Sequence, residues 1–596
     1  MRLLCILCLF LLFSLDGEAQ KIKDYYDLEF KDFNECNWDW LSNKNNCIIY
    51  RDKFESGRTR NNVLCLKSDT RSARDLNMGF LLGKSITLPP IKHRSSTISL
   101  DIRNNTDSIV SFAVLGIDDE ENIVFNKKIR IKKQPSWKKT IITCPSEKVK
   151  AIKIYIEYKG NADKGQSIYL KNLDIRLDKK SILAMDIDSF NNSNIELNPA
   201  RITPLDLTDS THLLNNIKEI NGKKIIGLGE SAHGSETIAD AQFLFLRNLV
   251  VQYNCKLILL EIHLDLAMIY DLYVQGLISE SSETVRAYLM LGVDGAPTMS
   301  FLKWLRKYNV ETKRKVHVLG IDNSSIGARP IPLMDYHFEL LGKEKAYPYL
   351  QKLWKNEIGD VEKISENDTN IKMILGTENY AYYRYMLSSM FRETKKLSRE
   401  DIYQRYLTRD SSMALRVAFL DSLFTKPQEK IAILAHVNHL QKINELTDQQ
   451  YTRLGKVLKD KYSTNYYALD FTFGSGKFNQ DSCSLTVRLI EDSLKVIPKN
   501  SFEYAALKTN QKFFFYPSKY LDNNINSSLN IGRLSQNKNH FEFANLKKRF
   551  DGYVFLNKSK AFSTVERVPL GYMMRLFSAK ERKYRMYFDS IQTKPK

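Results

Sequence analysis

The stretch from Lys224 to Gly234 reads KIIGLGESAHG, a short apolar run followed at once by polar and small residues. Three more apolar runs, Lys256–Ile262, Val316–Ile321 and Ile431–Ala435, alternate with segments of helical pattern. Continuous apolar strands alternating with helices are typical of a parallel sheet that is covered on both faces. We therefore predict an α/β domain over residues 205–575, with a mostly parallel central sheet and helices on both faces.

The region before this domain has a different pattern. In residues 21–180 apolar and polar residues alternate, as in Ile98, Leu100 and Ile102. Period-two alternation over strands with short polar connectors predicts an all-β sandwich or jelly-roll domain. An Asn-rich segment with two prolines, residues 191–204, is predicted to be the linker between the two domains.

The two ends of the chain are also distinctive. Arg2 precedes an apolar run, and Gly17-Glu18-Ala19 provides a small-residue cleavage site, so residues 1–19 are predicted to be a secretory signal peptide. We expect an exported protein, periplasmic or extracellular, with no stable membrane span, because no later apolar run approaches the ~18 residues needed. Residues 576–596 are predicted to be a basic C-terminal tail.

The charge balance is strongly basic, with 89 Lys+Arg against 69 Asp+Glu and hence 89 − 69 = +20. Lysines supply most of the positive charge and are spread along the whole chain. The sequence contains no helix-turn-helix, finger or RNA-binding signature. We therefore predict a Lys-rich surface and no nucleic-acid partner.

Ionisable residues follow each apolar run of the α/β domain. Glu230 and His233 follow the first run, Glu261 ends the second, and Asp322 follows the third. The fourth run is followed by His436-Val437-Asn438-His439. The carboxyl ends of parallel strands meet at one edge of a sheet, where α/β proteins bind ligands. A turn glycine or a helix cap would explain any one of these positions, but four strand ends together predict an active site.

Several stretches of the α/β domain resemble the erythromycin esterase family. The resemblance covers the chain from about Leu205 to Glu566, and its motifs occur in the same order as in the family. The first motif carries Glu230 and His233. The matching stretches are Gly227–Ser235, Leu259–Glu261, Trp304–Asn309 with Leu319–Asp322, Arg409–Ala414, Ala435–His439 and Phe550–Gly552.

This resemblance implies a hydrolase that cleaves a carboxylic ester, such as a macrolide lactone, with water activated by His233. Glu230 and Glu261 would orient His233, while His436 and His439 would polarise the carbonyl or protonate the leaving alkoxide. The resemblance implies a set of substrate-binding residues: Gln242, Arg409, Asp410 and Asp322.

The sequence departs from the family at two positions. Gln242 stands where the family has a basic residue, which argues against macrolide specificity but leaves the candidate base in place. The asparagine that usually follows the first histidine of the second histidine motif is shifted by one, because Val437 precedes Asn438.

Two other functions fit the same residues. The first is a metal-dependent hydrolase of the same fold, in which His and carboxylate ligands bind zinc or manganese. The second is a non-catalytic ligand-binding protein. Covalent catalysis by Ser231 or Ser235 is disfavoured, since the chain has no G-x-S-x-G motif. We expect no cofactor, with a divalent metal as the alternative, a small-molecule ester as substrate, and a carbohydrate as a further partner of the N-terminal module. That module looks like the β-sandwiches attached to secreted carbohydrate-active enzymes.

Overall fold

The computed structural model describes most of the chain between residues 21 and 592. The predicted signal peptide and the start of the predicted linker lie outside the described residues. The described ranges are 21–30, 39–42, 47–52, 63–68, 80–89, 91–107, 109–118, 122–159, 167–186, 195–208, 212–281, 288, 295–312, 315–322, 330–395, 399–444, 452–481, 489–495, 497–532, 540–562 and 570–592.

The chain divides into two compact units. One comprises Met1–Asn194 with Pro498–Asn500, and the other comprises Ile195–Ile497 with Ser501–Lys596. Within the described residues, no helix combines the length and the apolar character needed to cross a membrane.

The first unit consists of two antiparallel sheets and a short helix, α1 (Ile22–Tyr25). Its strands are β1 (Asp39–Ser42), β2 (Cys47–Asp52), β3 (Val63–Ser68), β4 (Phe80–Thr87), β5 (Ser96–Asn104), β6 (Ile109–Ile117), β7 (Ile123–Ile131), β8 (Gln134–Cys144), β9 (Ala151–Lys159), β10 (Ser167–Leu177) and β11 (Lys180–Ser181).

The strand orders are β1-β4-β9-β6-β7 in one sheet and β2-β3-β10-β5-β8 in the other, with β11 paired to β10. The alternation seen in the sequence sets the faces, because Ile98, Leu100 and Ile102 of β5 are fully buried. The predicted all-β domain is confirmed.

The second unit is built around an eight-stranded sheet. The strands of this sheet are β12 (Thr203–Pro204), β13 (Ile225–Glu230), β14 (Cys255–His263), β15 (His317–Asp322), β16 (Lys430–His436), β17 (Tyr466–Phe473), β20 (Phe513–Pro517) and β23 (Gly552–Leu556). Two further sheets have two strands each: β18 (Lys477–Asp481) pairs with β19 (Leu489–Ser493), and β21 (Ile525–Leu529) pairs with β22 (Phe541–Asn545).

Helices connect and cover these strands. They are α2 (Glu236–Gln252), α3 (Leu264–Val274), α4 (Gly295–Thr312), α5 (Ile331–Trp354), α6 (Ile358–Glu366), α7 (Thr369–Lys395), α8 (Arg399–Phe424), α9 (Val437–Leu440), α10 (Leu454–Tyr462), α11 (Phe502–Leu507), α12 (Leu546–Arg549) and α13 (Leu570–Gln592).

The large sheet has the order β12-β20-β23-β17-β13-β16-β14-β15. From β23 to β15 neighbouring strands are parallel, while β20 and β12 add an antiparallel edge. All residues of β13 and β17 are buried, since both faces of the sheet are covered. The predicted α/β fold is confirmed, and its order brings β13, β16, β14 and β15 side by side.

Two details differ from the expectations. The end of the predicted linker belongs to the second unit, because β12 pairs with β20. The predicted C-terminal tail is largely the helix α13, whose Tyr584 and Phe588 are buried in the core. Basic residues occupy the polar face of this helix. The high charge of the segment therefore predicted a tail, although the segment forms an amphipathic helix.

Candidate functional site

The four predicted strand ends lie at one edge of the large sheet. Glu230 ends β13 directly opposite His436, the last residue of β16. On the other side of β16 lies β14, which carries Glu261, and β15 ends beyond it with Asp322. The structure therefore brings the predicted catalytic residues together, although the sequence separates the first from the last by about 200 positions.

His233 is held by Glu230. The Nδ1 atom of His233 lies 2.7 Å from Oε1 of Glu230, and the His233 side chain is 17% exposed. A carboxylate beside Nδ1 fixes the proton on that nitrogen, which leaves the lone pair of Nε2 available. Among the described residues, Nε2 has no hydrogen-bond partner. This is the tautomer and orientation that a general base requires.

The turn that carries His233 needs a glycine after it. A Cβ atom on Gly234 would lie 1.9 Å from the carbonyl oxygen of Asn479. The backbone of Asn479 instead donates a hydrogen bond to the oxygen of Gly234 at 3.0 Å. Ser235 then starts α2, with its Oγ accepting from the backbone of Ile238. The turn is thereby fixed directly after the histidine.

His436 packs against His233, with ring centres 4.4 Å apart. Its Nε2 donates to the carbonyl oxygen of Ile531 at 3.2 Å, and its Nδ1 accepts from the backbone of Asn438 at 3.4 Å. Burial, and secondarily the electrostatic effect of the neighbouring His233, holds the pKa of His436 well below its usual value. His436 is therefore neutral, with both nitrogens engaged.

Glu261 contacts a different histidine from the one expected. Its Oε1 lies 3.1 Å from Nε2 of His439 and accepts from Arg409 Nη2 at 2.9 Å. Its Oε2 accepts from the backbone nitrogen of His436 at 2.9 Å. The expectation that Glu261 orients His233 is corrected, since its oxygens are directed at these three groups.

Arg409 joins two carboxylates of the cluster. Its Nε and Nη2 donate to the two oxygens of Asp322 at 2.8 and 2.7 Å, a bidentate pair, while Nη2 also reaches Glu261. Burial alone would raise the pKa of both acids. At Glu261 the charges of His439 and Arg409 outweigh burial, so the pKa of Glu261 lies well below its usual value. At Asp322 the charge of Arg409 outweighs burial, so the pKa of Asp322 is also lowered.

His439 is held between two acids. Its Nδ1 lies 2.8 Å from Asp410, which is fully buried in α8, and its Nε2 faces Glu261. Burial opposes the positive charge, but the two carboxylates prevail and raise the pKa of His439 to about 9. His439 is therefore an imidazolium at neutral pH, and Glu261 Oε1 balances both its charge and that of Arg409, whose Nη1 lies 3.1 Å from His439 Nε2.

This charged histidine makes stability depend on pH. A pKa raised from 6.5 to about 9 stabilises the folded state fully below pH 6.5, and the effect is lost as the pH rises through about 9. The difference corresponds to on the order of 3 kcal/mol. We expect Asp410→Asn to start this loss at a lower pH and to reduce its size, as measured by urea unfolding from pH 6 to 10. Asp460→Asn, on an exposed helix face, is the control. Identical pH profiles for wild type and Asp410→Asn would contradict this assignment.

Gln242 lies outside this hydrogen-bonded cluster. It is 2% exposed, and its side-chain amide donates to the carbonyl oxygen of Leu228 at 3.0 Å. This contact ties α2 to β13, and substrate contact by Gln242 stays a prediction. Arg409 and Asp410 bind the candidate catalytic residues Glu261 and His439 directly, and Asp322 holds Arg409, so the structure gives each of the three a positioning contact in addition to the substrate role predicted.

The two serines beside His233 are poorly placed as nucleophiles. Ser235 Oγ caps α2 and lies 2.7 Å from Ser559 Oγ. Ser231 is fully buried, and its Oγ has no hydrogen-bond partner in the described part of the chain. Nothing there activates either hydroxyl as a Ser–His pair would require.

One segment of the site, residues 530–532, was not predicted from the sequence. Residues 530–532 lie along the loop after β13: Ile531 forms a parallel bridge with Ala232, and its carbonyl oxygen accepts from His436. Asn530 donates to the side chain of Asn438 at 2.8 Å. These contacts use backbone groups and one amide pair, so neither residue periodicity nor charge marks the segment in advance.

The described residues contain no group of three His, Cys, Asp or Glu side chains arranged to hold a metal ion. Glu261, Asp322 and Asp410 instead pair with His439, Arg409 and backbone nitrogens. Metal dependence therefore stays a prediction to be tested in solution.

The resemblance seen in the sequence is confirmed by the family model for erythromycin esterase, which matches residues 375–559. This range contains Arg409, Asp410, His436 and His439. His233, Glu230 and Glu261 precede it. A comparison with curated proteins finds no match.

Solved structures similar to parts of the chain have low sequence identity. A succinoglycan biosynthesis protein is 19% identical over 61% of this chain and 95% of that chain, with a TM-score of 0.46. A mutant of the erythromycin esterase EreC in its open conformation is 18% identical over 61% of this chain and 99% of that chain, with a TM-score of 0.40. A carbohydrate-binding module, TmCBM61 in complex with β-1,4-galactotriose, is 14% identical over 26% of this chain and 96% of that chain, with a TM-score of 0.20.

Proposed function

We propose that this protein hydrolyses a carboxylic ester with water activated by His233. The observation that carries the proposal is the 2.7 Å contact between Nδ1 of His233 and Glu230, which leaves Nε2 of this histidine free of described hydrogen bonds. The match of residues 375–559 to the erythromycin esterase family favours an ester as the substrate.

The reaction requires one base and one proton donor. Nε2 of His233 takes a proton from water as the water oxygen bonds to the ester carbonyl carbon. Glu230 stabilises the imidazolium that forms. When the tetrahedral intermediate collapses, the C–O bond to the alcohol breaks, and His233 returns its proton to the leaving alkoxide. The products are a carboxylic acid and an alcohol, and His233 is neutral again.

The second histidine motif has a positioning role in this proposal. His439 remains protonated between Asp410 and Glu261, and Arg409 pairs with Glu261 and Asp322, so the charges of the network balance one another. Groups that are oriented before the reaction keep the site in place without reorganisation during the step. Neutral His436 keeps the ring of His233 in place and fixes the 530–532 segment through Ile531.

The test is a hydrolysis screen of the full-length protein over simple aryl esters, acylated sugars and macrolides. Turnover of any ester that is absent in the His233→Ala variant supports the proposal. Binding of esters without turnover, at any pH between 6 and 9, would instead identify a non-catalytic binding protein.

We also expect hydrolysis without a tightly bound metal ion. Both ring nitrogens of His439 face carboxylates, and Arg409 Nη1 lies 3.1 Å from its Nε2, where it would repel a metal cation. Chelator-treated protein should keep its activity to within about twofold of untreated protein, with elemental analysis made on the same samples. A stoichiometric metal whose removal abolishes turnover, and whose return restores it, would make the enzyme a metallohydrolase.

A further inference from the structure

The second sheet of the N-terminal unit carries aromatic and cationic side chains on its outer face. In β5 the even-numbered residues from Ile98 to Ile102 point into the core, so Arg103 points outward. Tyr169 of β10 is directly opposite Arg103, and Lys171 lies two residues further along the same strand. Trp137 lies on β8, the neighbour of β5 on the other side. All four side chains are partly exposed.

These four residues form one continuous surface, the Trp137 patch (Arg103, Trp137, Tyr169 and Lys171). The guanidinium carbon of Arg103 lies 4.0 Å from the centre of the Tyr169 ring and 5.7 Å from that of Trp137. The ammonium of Lys171 lies 4.0 Å from the centre of the Trp137 ring. These distances are within the cation–π range of about 6 Å, so the rings and the cations hold one another in place.

The patch also has hydrogen-bonding groups beside it. Asp101 lies opposite Lys171 in the strand register, and its Oδ2 accepts from the side chain of Asn172 at 2.7 Å. Within the described residues Lys171 forms no ion pair, so its charge is available to a ligand. The surface thus combines aromatic rings, two cations, a carboxylate and an amide.

We propose that the Trp137 patch binds an acidic glycan whose sugars carry carboxylate groups. The flat C–H face of a sugar ring can pack on an aromatic ring, which offers a large apolar area. Arg103 and Lys171 would pair with the sugar carboxylate, since charge-assisted hydrogen bonds of this kind are strong. Asp101 would accept hydrogen bonds from the sugar hydroxyls.

A nucleic acid fits this surface less well. Single-stranded nucleic acids bind to aromatic platforms that lie along a continuous positive groove, because every nucleotide carries a phosphate. Here Asp101 lies beside Lys171 on the outer face, and a phosphate placed there would be repelled. Each acidic sugar carries hydroxyl groups beside its carboxylate, so a hydroxyl can donate to Asp101 while the carboxylate faces Arg103 and Lys171.

The test measures binding of the full-length protein to polygalacturonate, to the same polymer with its carboxylates methyl-esterified, and to poly(U). We expect binding to polygalacturonate that weakens about tenfold or more in Trp137→Ala. Lys171→Gln should weaken binding to the acidic polymer by about threefold to tenfold while leaving the esterified polymer unaffected. Ile141→Ala, a change of an apolar side chain that is 52% exposed on the same strand, should bind as wild type.

Three outcomes would overturn the proposal. If the esterified polymer binds as tightly as polygalacturonate, the sugar carboxylates do not contribute to binding through Arg103 and Lys171. Acidic-polymer binding that Trp137→Ala leaves unchanged would assign it to the general Lys-rich surface. Tighter binding of poly(U) that is lost in Trp137→Ala would make the patch a nucleic-acid site. Circular dichroism of each variant shows that the sheet remains folded.

Discussion

His233→Ala is expected to lower kcat/KM for ester hydrolysis by roughly 10²–10⁴-fold, the usual contribution of a general base. The variant loses the nitrogen that takes the proton of water, whereas the strand-end cluster around Glu261 is unchanged. The His233 side chain is partly exposed and makes its described hydrogen bond only to Glu230, so folding should be preserved. The measurement is steady-state hydrolysis with thermal unfolding of the same preparation.

Two further variants make this result specific. His212→Ala changes an exposed histidine of the same unit and should retain wild-type activity. Glu230→Gln keeps the shape of the carboxylate but not its charge, and it should lower kcat more than it raises KM. Activity of His233→Ala within threefold of wild type would show that another residue is the base.

Arg409→Met is expected to abolish most activity and to destabilise the fold by about 3 kcal/mol, the lower end of the cost of breaking a buried ion pair. The change leaves Glu261 and Asp322, whose side chains are 16% and 13% exposed, without their shared cation. Glu261 keeps its contact with His439, but Asp322 loses its bidentate partner and repels Glu261, so the register of β14 against β15 is also weakened. The measurement is urea unfolding at pH 7 with hydrolysis assayed in parallel.

Arg409→Lys is the matched control for this prediction. Lysine keeps the positive charge but cannot make the bidentate contact with Asp322, so an intermediate loss of stability is expected. A loss of less than 1 kcal/mol in Arg409→Met would mean that solvent or other groups satisfy the two acids. In that case the contacts of Arg409 with Glu261 and Asp322 would not be what holds the candidate catalytic residues in place.

The sequence alone predicts where the site lies. Apolar runs that end in Glu230, Glu261, Asp322 and His436 predict parallel strands, and parallel strands align their carboxyl ends. Periodicity is sufficient for this step because it is a property of each strand by itself. The same holds for β5, β9 and β10 of the first unit, whose buried faces follow directly from alternation.

Strand patterns do not predict which side chains of the site contact each other. Whether Glu261 holds His233 or His439 depends on the order of β14, β16 and β13, which strand patterns do not specify. The contact of Arg409 with Asp322 joins residues 87 positions apart and depends on where α8 crosses β15. Ile531 acts through its carbonyl oxygen, a group that every residue has, so no side-chain pattern could have predicted it.

Chemical rescue of His233→Ala by free imidazole tests whether His233 is the base. If His233 is the base that activates water, imidazole that diffuses into the vacated space should restore hydrolysis in proportion to its concentration, with no effect in Arg409→Met. We expect kcat/KM to rise at least about tenfold over that of the variant without imidazole. Wild-type turnover by His233→Ala without imidazole, or no response to imidazole, would show that His233 does not activate water for ester hydrolysis.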